Sequence, residues 1–310
     1  MIELAAKNYN IEENLEDTKP FLKWAGGKNQ LLKSFNLYYP KFDLKLKKYV
    51  EPFVGAGAVL FDLLNKFSFK EVYINDMNKE LINTYINIRD NPNQLIVILS
   101  NLENEYKKLN NEHRKIYYLN KRDDYNKLII NTNKSTNIKK AALMIFLNKT
   151  CFNGLYRVNK KGMFNVPIGS YKNPKICDIK NILAVSNKLK NVKIHCDDYK
   201  NSYDFIDETT FVYLDPPYRP LNKTSSFTSY TENDFDDKKQ IELADFVSKI
   251  NEKGCKFMLS NSDPKNIDPE DNFFDDLYKD YDIIRIDASR MINSKASNRG
   301  SIKELLIKNY

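Results

Sequence analysis

Asp215-Pro216-Pro217-Tyr218 holds the residue types best suited to chemistry in this 310-residue chain, because it directly follows the apolar run Phe211-Val212-Tyr213-Leu214. Proline lacks an N–H and has a fixed φ, so a strand that runs into two prolines stops in a stiff turn. The Asp215 carboxylate, the Pro216 carbonyl and the Tyr218 ring then form a rigid acceptor cluster beside a stacking surface. Such a cluster suits a planar base bearing an amino group. Taken alone, the tetrapeptide reads more simply as a plain proline turn with a surface Tyr. The rest of the chain decides between the two.

Phe53-Val54-Gly55-Ala56-Gly57 is a glycine turn of the kind that lets backbone approach a ligand closely. It lacks the third glycine of the dinucleotide fingerprint, so a pyrophosphate is not the obvious ligand. Asp76 follows about twenty residues on, where an acid can bind ribose hydroxyls. Adenosyl cofactors without phosphates need such a pair. Asp198 follows a third strand, where it could accept from an adenine amine or simply be a loop carboxylate. Lys23-Trp24-Ala25-Gly26-Gly27-Lys28 sets the only Trp among glycines, either as a ligand wall or as a core Trp at a helix start.

The elements that must position these groups alternate. Tyr49 to Val54 reads as a strand, Ala58 to Leu64 as a helix and Glu71 to Ile74 as a second strand, which makes one βαβ unit. Lys79 to Arg89 and Leu95 to Leu109 read as helices parted by Asn91-Pro92, and Ile138 to Thr150 as a buried helix. Arg157 to Pro167 reads as a hairpin turned by Asn159-Lys160-Lys161-Gly162. Strands follow at Val192–His195, Phe211–Leu214, Lys256–Leu259, Ile283–Ile286 and Lys303–Lys308, with a helix at Lys238–Asn251. The fold class is therefore α/β, a doubly wound, Rossmann-like core at 19–79 and 176–310 behind an N-terminal tail at 1–18. A mostly helical insert occupies 80–175. In such sheets ligands bind beyond the carboxyl ends of the strands.

Charge separates the insert from the core. The net charge is +8, yet Tyr125 to Cys177 contains ten Lys or Arg and no Asp or Glu, leaving 39 basic and 41 acidic residues elsewhere. Phe146, Phe152, Tyr156, Phe164 and Tyr171 are interleaved with these cations. Basic residues among aromatics are the footprint of nucleic-acid contact, although a solvated lysine face has the same composition. Cys151, Cys177, Cys196 and Cys255 lack CxxC spacing and His113 and His195 lie far apart, which argues for reduced thiols and against a metal site. Met1 to Thr18 lacks the apolar core of a signal peptide, and no apolar run approaches the roughly 20 residues of a membrane span.

Five motifs in order closely resemble the Dam-type, alpha-class adenine-specific DNA methyltransferases. They are Phe21-Leu22-Lys23-Trp24-Ala25-Gly26-Gly27-Lys28, Glu51-Pro52-Phe53-Val54-Gly55-Ala56-Gly57, Asn153-Gly154-Leu155-Tyr156-Arg157, Phe164-Asn165-Val166-Pro167 and Asp215-Pro216-Pro217-Tyr218. The similarity runs from about Lys19 to Tyr310. It implies S-adenosylmethionine as methyl donor, no metal, and double-stranded DNA with a GATC-type site as substrate. It also implies a bacterial or phage-encoded cytoplasmic protein, sometimes paired with a restriction endonuclease. The resemblance sets Trp24, Lys28, Asp76 and Asp215 at cofactor-contacting positions, with Phe53, Gly55 and Asp198 beside them. It makes the insert the target-recognition domain, with Arg157 reading a guanine and Asn153, Leu155 and Pro167 at other recognition positions. Lys160 and Lys161, at the hairpin tip, are expected on the DNA. After Pro167-Ile168-Gly169 relatives usually carry Arg or Lys, whereas this chain has Ser170, which puts one DNA contact in doubt.

The expected reaction follows from the substrate. The exocyclic amine of adenine is a poor nucleophile, because its lone pair is delocalised into the ring. Hydrogen bonds to the Asp215 carboxylate and the Pro216 carbonyl would draw it toward a reactive geometry for direct, in-line attack on a sulfonium methyl. The base must first leave the helix, where Tyr218 could stack on it. None of the four cysteines follows a proline, so the Pro-Cys nucleophile of cytosine ring-carbon methylation is absent. Two alternatives stay open at this stage: methylation of a cytosine amine, and a non-catalytic DNA-binding protein on the same scaffold.

Overall fold

The computed structural model describes residues 17–24, 26–42, 45–130, 137–219, 235–289 and 301–310. Most of the N-terminal tail lies outside these residues. So do Ser226 to Tyr230 and Arg290, Lys295 and Arg299; the last three lie in a Ser/Asn-rich stretch without acidic residues, which reads in sequence either as a phosphate-gripping loop together with Ser226 to Tyr230 or as a plain solvated loop.

Seven strands form one sheet: β1 (Lys48–Glu51), β2 (Glu71–Asn75), β3 (Val192–His195), β4 (Thr210–Leu214), β5 (Lys256–Ser262), β6 (Asp282–Ser289) and β7 (Ser301–Lys308). Their order is β3-β2-β1-β4-β5-β7-β6, and β7 alone runs antiparallel to its neighbours. The chain leaves β1 toward β3 on one side and β4 toward β6 on the other. The order therefore reverses between β1 and β4, and a crevice opens beyond their carboxyl ends.

Side-chain alternation splits the sheet into two faces. Tyr49, Ile74, Phe211, Tyr213, Met258 and Leu306 join one core, whereas Val50, Val212, Leu214, Phe257, Leu259 and Leu305 join the other. Glu51, Asp215 and Ser260 continue the first parity at the strand ends, so three polar side chains emerge together above that core. Helix α1 (Ala58–Lys66) starts directly after Gly57, whose φ of 74° only glycine adopts readily. A Cβ on Gly57 would also lie 2.6 Å from the Tyr85 hydroxyl. Helix α2 (Lys79–Asp90) is capped by Asn78, whose side chain accepts from the N–H groups of Glu80 and Leu81. Pro92 opens helix α3 (Pro92–Lys107), where its missing N–H costs nothing.

The sequence reading passes over two helices, α4 (Asn111–Ile130) and α6 (Ile179–Leu189). In α4 the apolar residues are interrupted by polar neighbours and only Tyr118 and Tyr125 are buried. Helix α6 is plainly amphipathic, burying Ile182, Ala184, Val185 and Leu189, and the sequence reading misses its short apolar spacing. Helix α5 (Ile138–Thr150) is buried along almost its whole length, with α2, α3 and α4 packed around it. Helix α7 (Asp237–Glu252) covers the second face of the sheet. The expected hairpin is an antiparallel excursion with a single bridge between Val158 and Phe164, turned by Asn159 to Gly162.

Candidate active site

Asp215 follows β4 with its side chain about one fifth exposed, and three neighbours fix its carboxylate. The buried ammonium of Lys28 lies 2.8 Å from both oxygens, and the Ser260 hydroxyl donates to Oδ1 at 3.1 Å. Burial raises the Asp215 carboxyl above the ordinary aspartate value, and Lys28 and Ser260 pull it back. Lys28 also donates to the Gly26 carbonyl at 2.8 Å, which folds the glycine motif over the crevice. Its Nζ stands 4.8 Å from the centre of the Tyr218 ring.

The turn after Asp215 is held on every side. Pro216 is buried, and the carbonyl of the exposed Pro217 accepts from Gln240 Nε2, itself held by Asn261. The Tyr218 hydroxyl donates to Glu304 on β7 at 2.8 Å. Burial raises the Glu304 carboxyl, as it does the Tyr218 phenol. Arg219 then pairs with Asp237 and Asp271. The tetrapeptide is thus a braced projection, as its two prolines require.

Glu51 is fully buried at the end of β1, accepts from the Tyr49 hydroxyl at 2.6 Å and lines the same cavity as Asp215. Burial holds its carboxyl well above the usual range. Gly55, with φ 48°, has the Trp24 ring against it: a Cβ there would lie 3.3 Å from Trp24 Cδ1. Asp76, at the tip of β2, accepts from the Gly55 N–H at 3.0 Å and from the Asn78 N–H at 2.8 Å. It therefore pins the glycine turn as well as edging the crevice. Asn75 joins three strand ends by donating to the carbonyls of Pro52 and Asp197 and accepting from the Asp197 N–H.

Phe53 and Asp198 stand farther along the same edge. Phe53 packs against Tyr199 at 5.1 Å, and the exposed Asp198 caps the following turn by accepting from the Lys200 N–H. The four strand ends thus carry Asp198, Asp76, Gly55 and Asp215 in spatial order. Sequence reading misses Ser260, Gln240, Asn261 and Glu304 as parts of this site and quotes Glu51 only within its motif. Two signals mark them: polar Ser260-Asn261-Ser262 closing a parallel strand, and an acid inside the apolar run of β7.

The residues expected to contact DNA gather between 153 and 170. Asn153, Arg157, Lys160, Lys161, Pro167 and Ser170 are exposed and Leu155 is half-buried. Asn153 alone among described non-glycine residues has positive φ, 54°. Asn165 across the hairpin orients Arg157, accepting from Nε at 2.8 Å through its side chain and from Nη2 through its carbonyl. Asn159 sets the tip by accepting from the N–H groups of Lys161 and Met163. Asn126 of α4 pairs with both backbone groups of Phe164 and fixes the hairpin root.

The charge count needs one correction. Lys140 is buried against Glu80, 2.9 Å away, so this cation of the acid-free stretch is an internal ion pair rather than part of a surface patch. Lys175 pairs with Asp178 just beyond the stretch. The insert is less positive toward solvent than its sequence suggests.

A sheet of this order, with an acidic Pro-Pro-Tyr turn closing β4 over a glycine motif, defines a Rossmann-like methyltransferase. The chain belongs to the D12 class N6 adenine-specific DNA methyltransferase family, whose model matches residues 24–292. It is 53% identical over 298 residues to the Type II methyltransferase M.MjaIII of Methanocaldococcus jannaschii, covering 95% of this chain and 100% of that one. It is 39% identical over 302 residues to the Type II methyltransferase M1.LlaDCHI of Lactococcus lactis subsp. cremoris, covering 97% and 98%. Identity to the DNA adenine methylase of Haemophilus influenzae is 31% over 307 residues, covering 98% and 97%. The protein is an adenine-specific DNA methyltransferase. Among the described residues no cluster of His, Cys, Asp or Glu suits a metal, and no helix is long and apolar enough to cross a membrane.

Proposed function

We propose that this enzyme takes its methyl group from S-adenosylmethionine and modifies an adenine flipped out of a duplex GATC-type site. The observation that carries the reading is the state of Asp215. A carboxylate has about four lone-pair positions, and Lys28 and Ser260 engage three. One acceptor remains, braced and ionised, for an exocyclic amine. The Pro216 carbonyl supplies a second, and Tyr218 a ring for the base.

The crevice suits an adenosyl sulfonium. Gly55 has no side chain where Trp24 closes in, Asp76 edges the crevice with its carboxylate, and Phe53 and Asp198 continue the edge. Trp24, Lys28, Phe53, Gly55, Asp76, Asp198 and Asp215 would hold the donor, which supplies an electrophilic methyl group when bound. Asp215 holds and polarises the amine and Lys28 keeps Asp215 charged. The nitrogen takes the methyl group as the sulfonium C–S bond breaks to leave a neutral thioether, and the surplus amine proton leaves along the hydrogen bond to Asp215 or to solvent, with no enzyme-bound intermediate.

In the same reading residues 80–175 form the target-recognition domain on a core of 19–79 and 176–310. Arg157 reads a guanine, Asn153, Leu155 and Pro167 contact neighbouring bases, and Lys160 and Lys161 meet phosphates. The names of the two Type II relatives favour a restriction-modification role with a companion endonuclease. In this reading the enzyme works on DNA in the cytoplasm. Modified-base sequencing of DNA from a host expressing the chain tests base and context together. N6-methyladenine within GATC is expected; methyladenine elsewhere removes the GATC assignment. Labelled methyl transfer from S-adenosylmethionine to duplex DNA tests the donor.

A further inference from the structure

Asn148, near the end of α5, uses one amide to join two distant parts of the chain. Its Oδ1 accepts from the Lys23 N–H at 2.8 Å, and its Nδ2 donates to the carbonyls of Lys23 and Gly154, each at 2.8 Å. The side chain is 2% exposed. Lys23 immediately precedes Trp24, and Gly154 lies in the recognition segment that leads into Arg157. The two segments touch directly as well. A Cβ on Gly154 would fall 2.5 Å from Lys23 Cδ, and the Lys23 ammonium donates to the Tyr171 hydroxyl at 3.2 Å.

Tyr156 continues the link. Its ring stacks on Trp24 at 5.3 Å between centroids and 22° between planes, while Trp24 lies against Gly55 on the glycine turn. Burial and the nearby Glu80 carboxylate raise the Tyr156 hydroxyl, hydrogen bonding to Tyr125 and Asn78 opposes the rise, and Asn78 follows closely on Asp76. The recognition segment therefore ends against the cofactor wall. Neither segment can shift without breaking bonds of the single amide that serves both, and such a contiguous contact can carry a coupling free energy.

We propose that Asn148 is a positioning residue that couples engagement of DNA by the Asn153–Arg157 segment to closure of Trp24 on the cofactor. The proposal rests on the reading of the crevice as an S-adenosylmethionine site. It predicts that the cofactor binds more tightly once the recognition segment is seated, and by linkage that DNA binds more tightly with cofactor present.

The test is calorimetric binding of S-adenosylhomocysteine, which cannot be turned over. It is measured with and without a duplex carrying the site found by modified-base sequencing. The parent is expected to show a ratio of dissociation constants of at least about fivefold, the lower range of allosteric couplings. Asn148→Ser is expected to bring that ratio to about one while leaving the DNA-free constant nearly unchanged. A clamp that is merely structural would weaken both constants equally, and an unchanged ratio overturns the proposal. Should Asn148→Ser fail to fold, Tyr156→Leu breaks the stack on Trp24 and leaves the amide in place; a ratio equal to the parent's overturns it equally. A parent that binds S-adenosylhomocysteine with a ratio of one sinks the coupling alone. A parent that does not bind it at all removes the cofactor reading beneath it.

Discussion

The ammonium of Lys28 lies 2.8 Å from both carboxylate oxygens of Asp215, although 187 residues separate them. The pair joins the glycine motif before β1 to the turn after β4, across the point where strand order reverses. It gives a largely enclosed carboxylate a counter-ion that favours its charged form, because an isolated ion there would tend to neutralise. Ser260 and Tyr213 extend the network at 3.1 and 2.9 Å, so the acceptor is held before any base arrives.

Asp215→Ala should abolish methyl transfer and leave the fold intact. Loss of one preorganised group at a reacting atom costs about 10²–10³ in rate. Labelled methyl transfer to duplex DNA, with circular dichroism as the control, checks this. Activity within about tenfold of the parent would take Asp215 out of the catalytic role.

Lys28→Met should move the acid limb of the pH–kcat profile upward. Burial already raises the Asp215 carboxyl, and Lys28 is the largest influence opposing it. The base needs the ionised form, so activity is lost as pH falls through that value. Without the cation the loss comes at higher pH. A limb that stays in place belongs to another group.

Arg157→Ala should relax specificity at one guanine by about 1–3 kcal/mol while changing the salt dependence little. Asn165 already holds Nε and one edge of the fork, so the side chain is presented in a fixed plane. Methylation rates on GATC and on sites altered at the guanine decide the matter. Equal slowing on every site would make Arg157 a phosphate contact.

Neutralising Lys160, Lys161 and Lys172 together should flatten the log–log salt slope of DNA binding, each phosphate contact contributing about 0.9. All three are exposed. Lys140→Met is the internal comparison, since its ammonium is buried on Glu80 and should leave the slope alone. Slopes that respond to Lys140 but not to the three would assign the charge to the fold.

Glu51→Gln should stabilise the protein increasingly as pH rises above the ordinary glutamate value of 4.5 into the neutral range. Burial lifts the folded-state carboxyl far above its unfolded value. Its favourable contribution is therefore complete below the unfolded value and is lost as pH rises toward the folded one. Melting temperatures of both proteins across that window check the sign. A gap that narrows with pH would mean that Glu51 is ionised in the fold.

The strands β1, β2 and β4 were legible because each carries a short apolar run closed by a turn residue or a proline. Alternation placed the motifs at strand ends without any tertiary information. Asp215, Gly55 and Asp76 fell at the carboxyl edge because Pro216, Gly57 and Asn78 stop or start elements there, and stops are local chemistry. The long helix α4 escaped notice since only Tyr118 and Tyr125 are buried, too few for a periodic signal. The surface charge was overstated for a related reason: composition counts Lys140, and only packing shows it spent on Glu80.

What the sequence determined by itself was the set of strand-end groups, since a proline pair, a glycine turn and an acid each act within a few residues. What the tertiary structure decided was which of them meet. Ser260, Glu304, Gln240 and Asn148 are ordinary polar residues in sequence, and a hydrogen bond reaches about 3 Å whatever the distance along the chain. Only the order β1-β4-β5-β7 brings Ser260 and Glu304 to the tetrapeptide, and only the packing of α5 brings one amide to both Lys23 and Gly154.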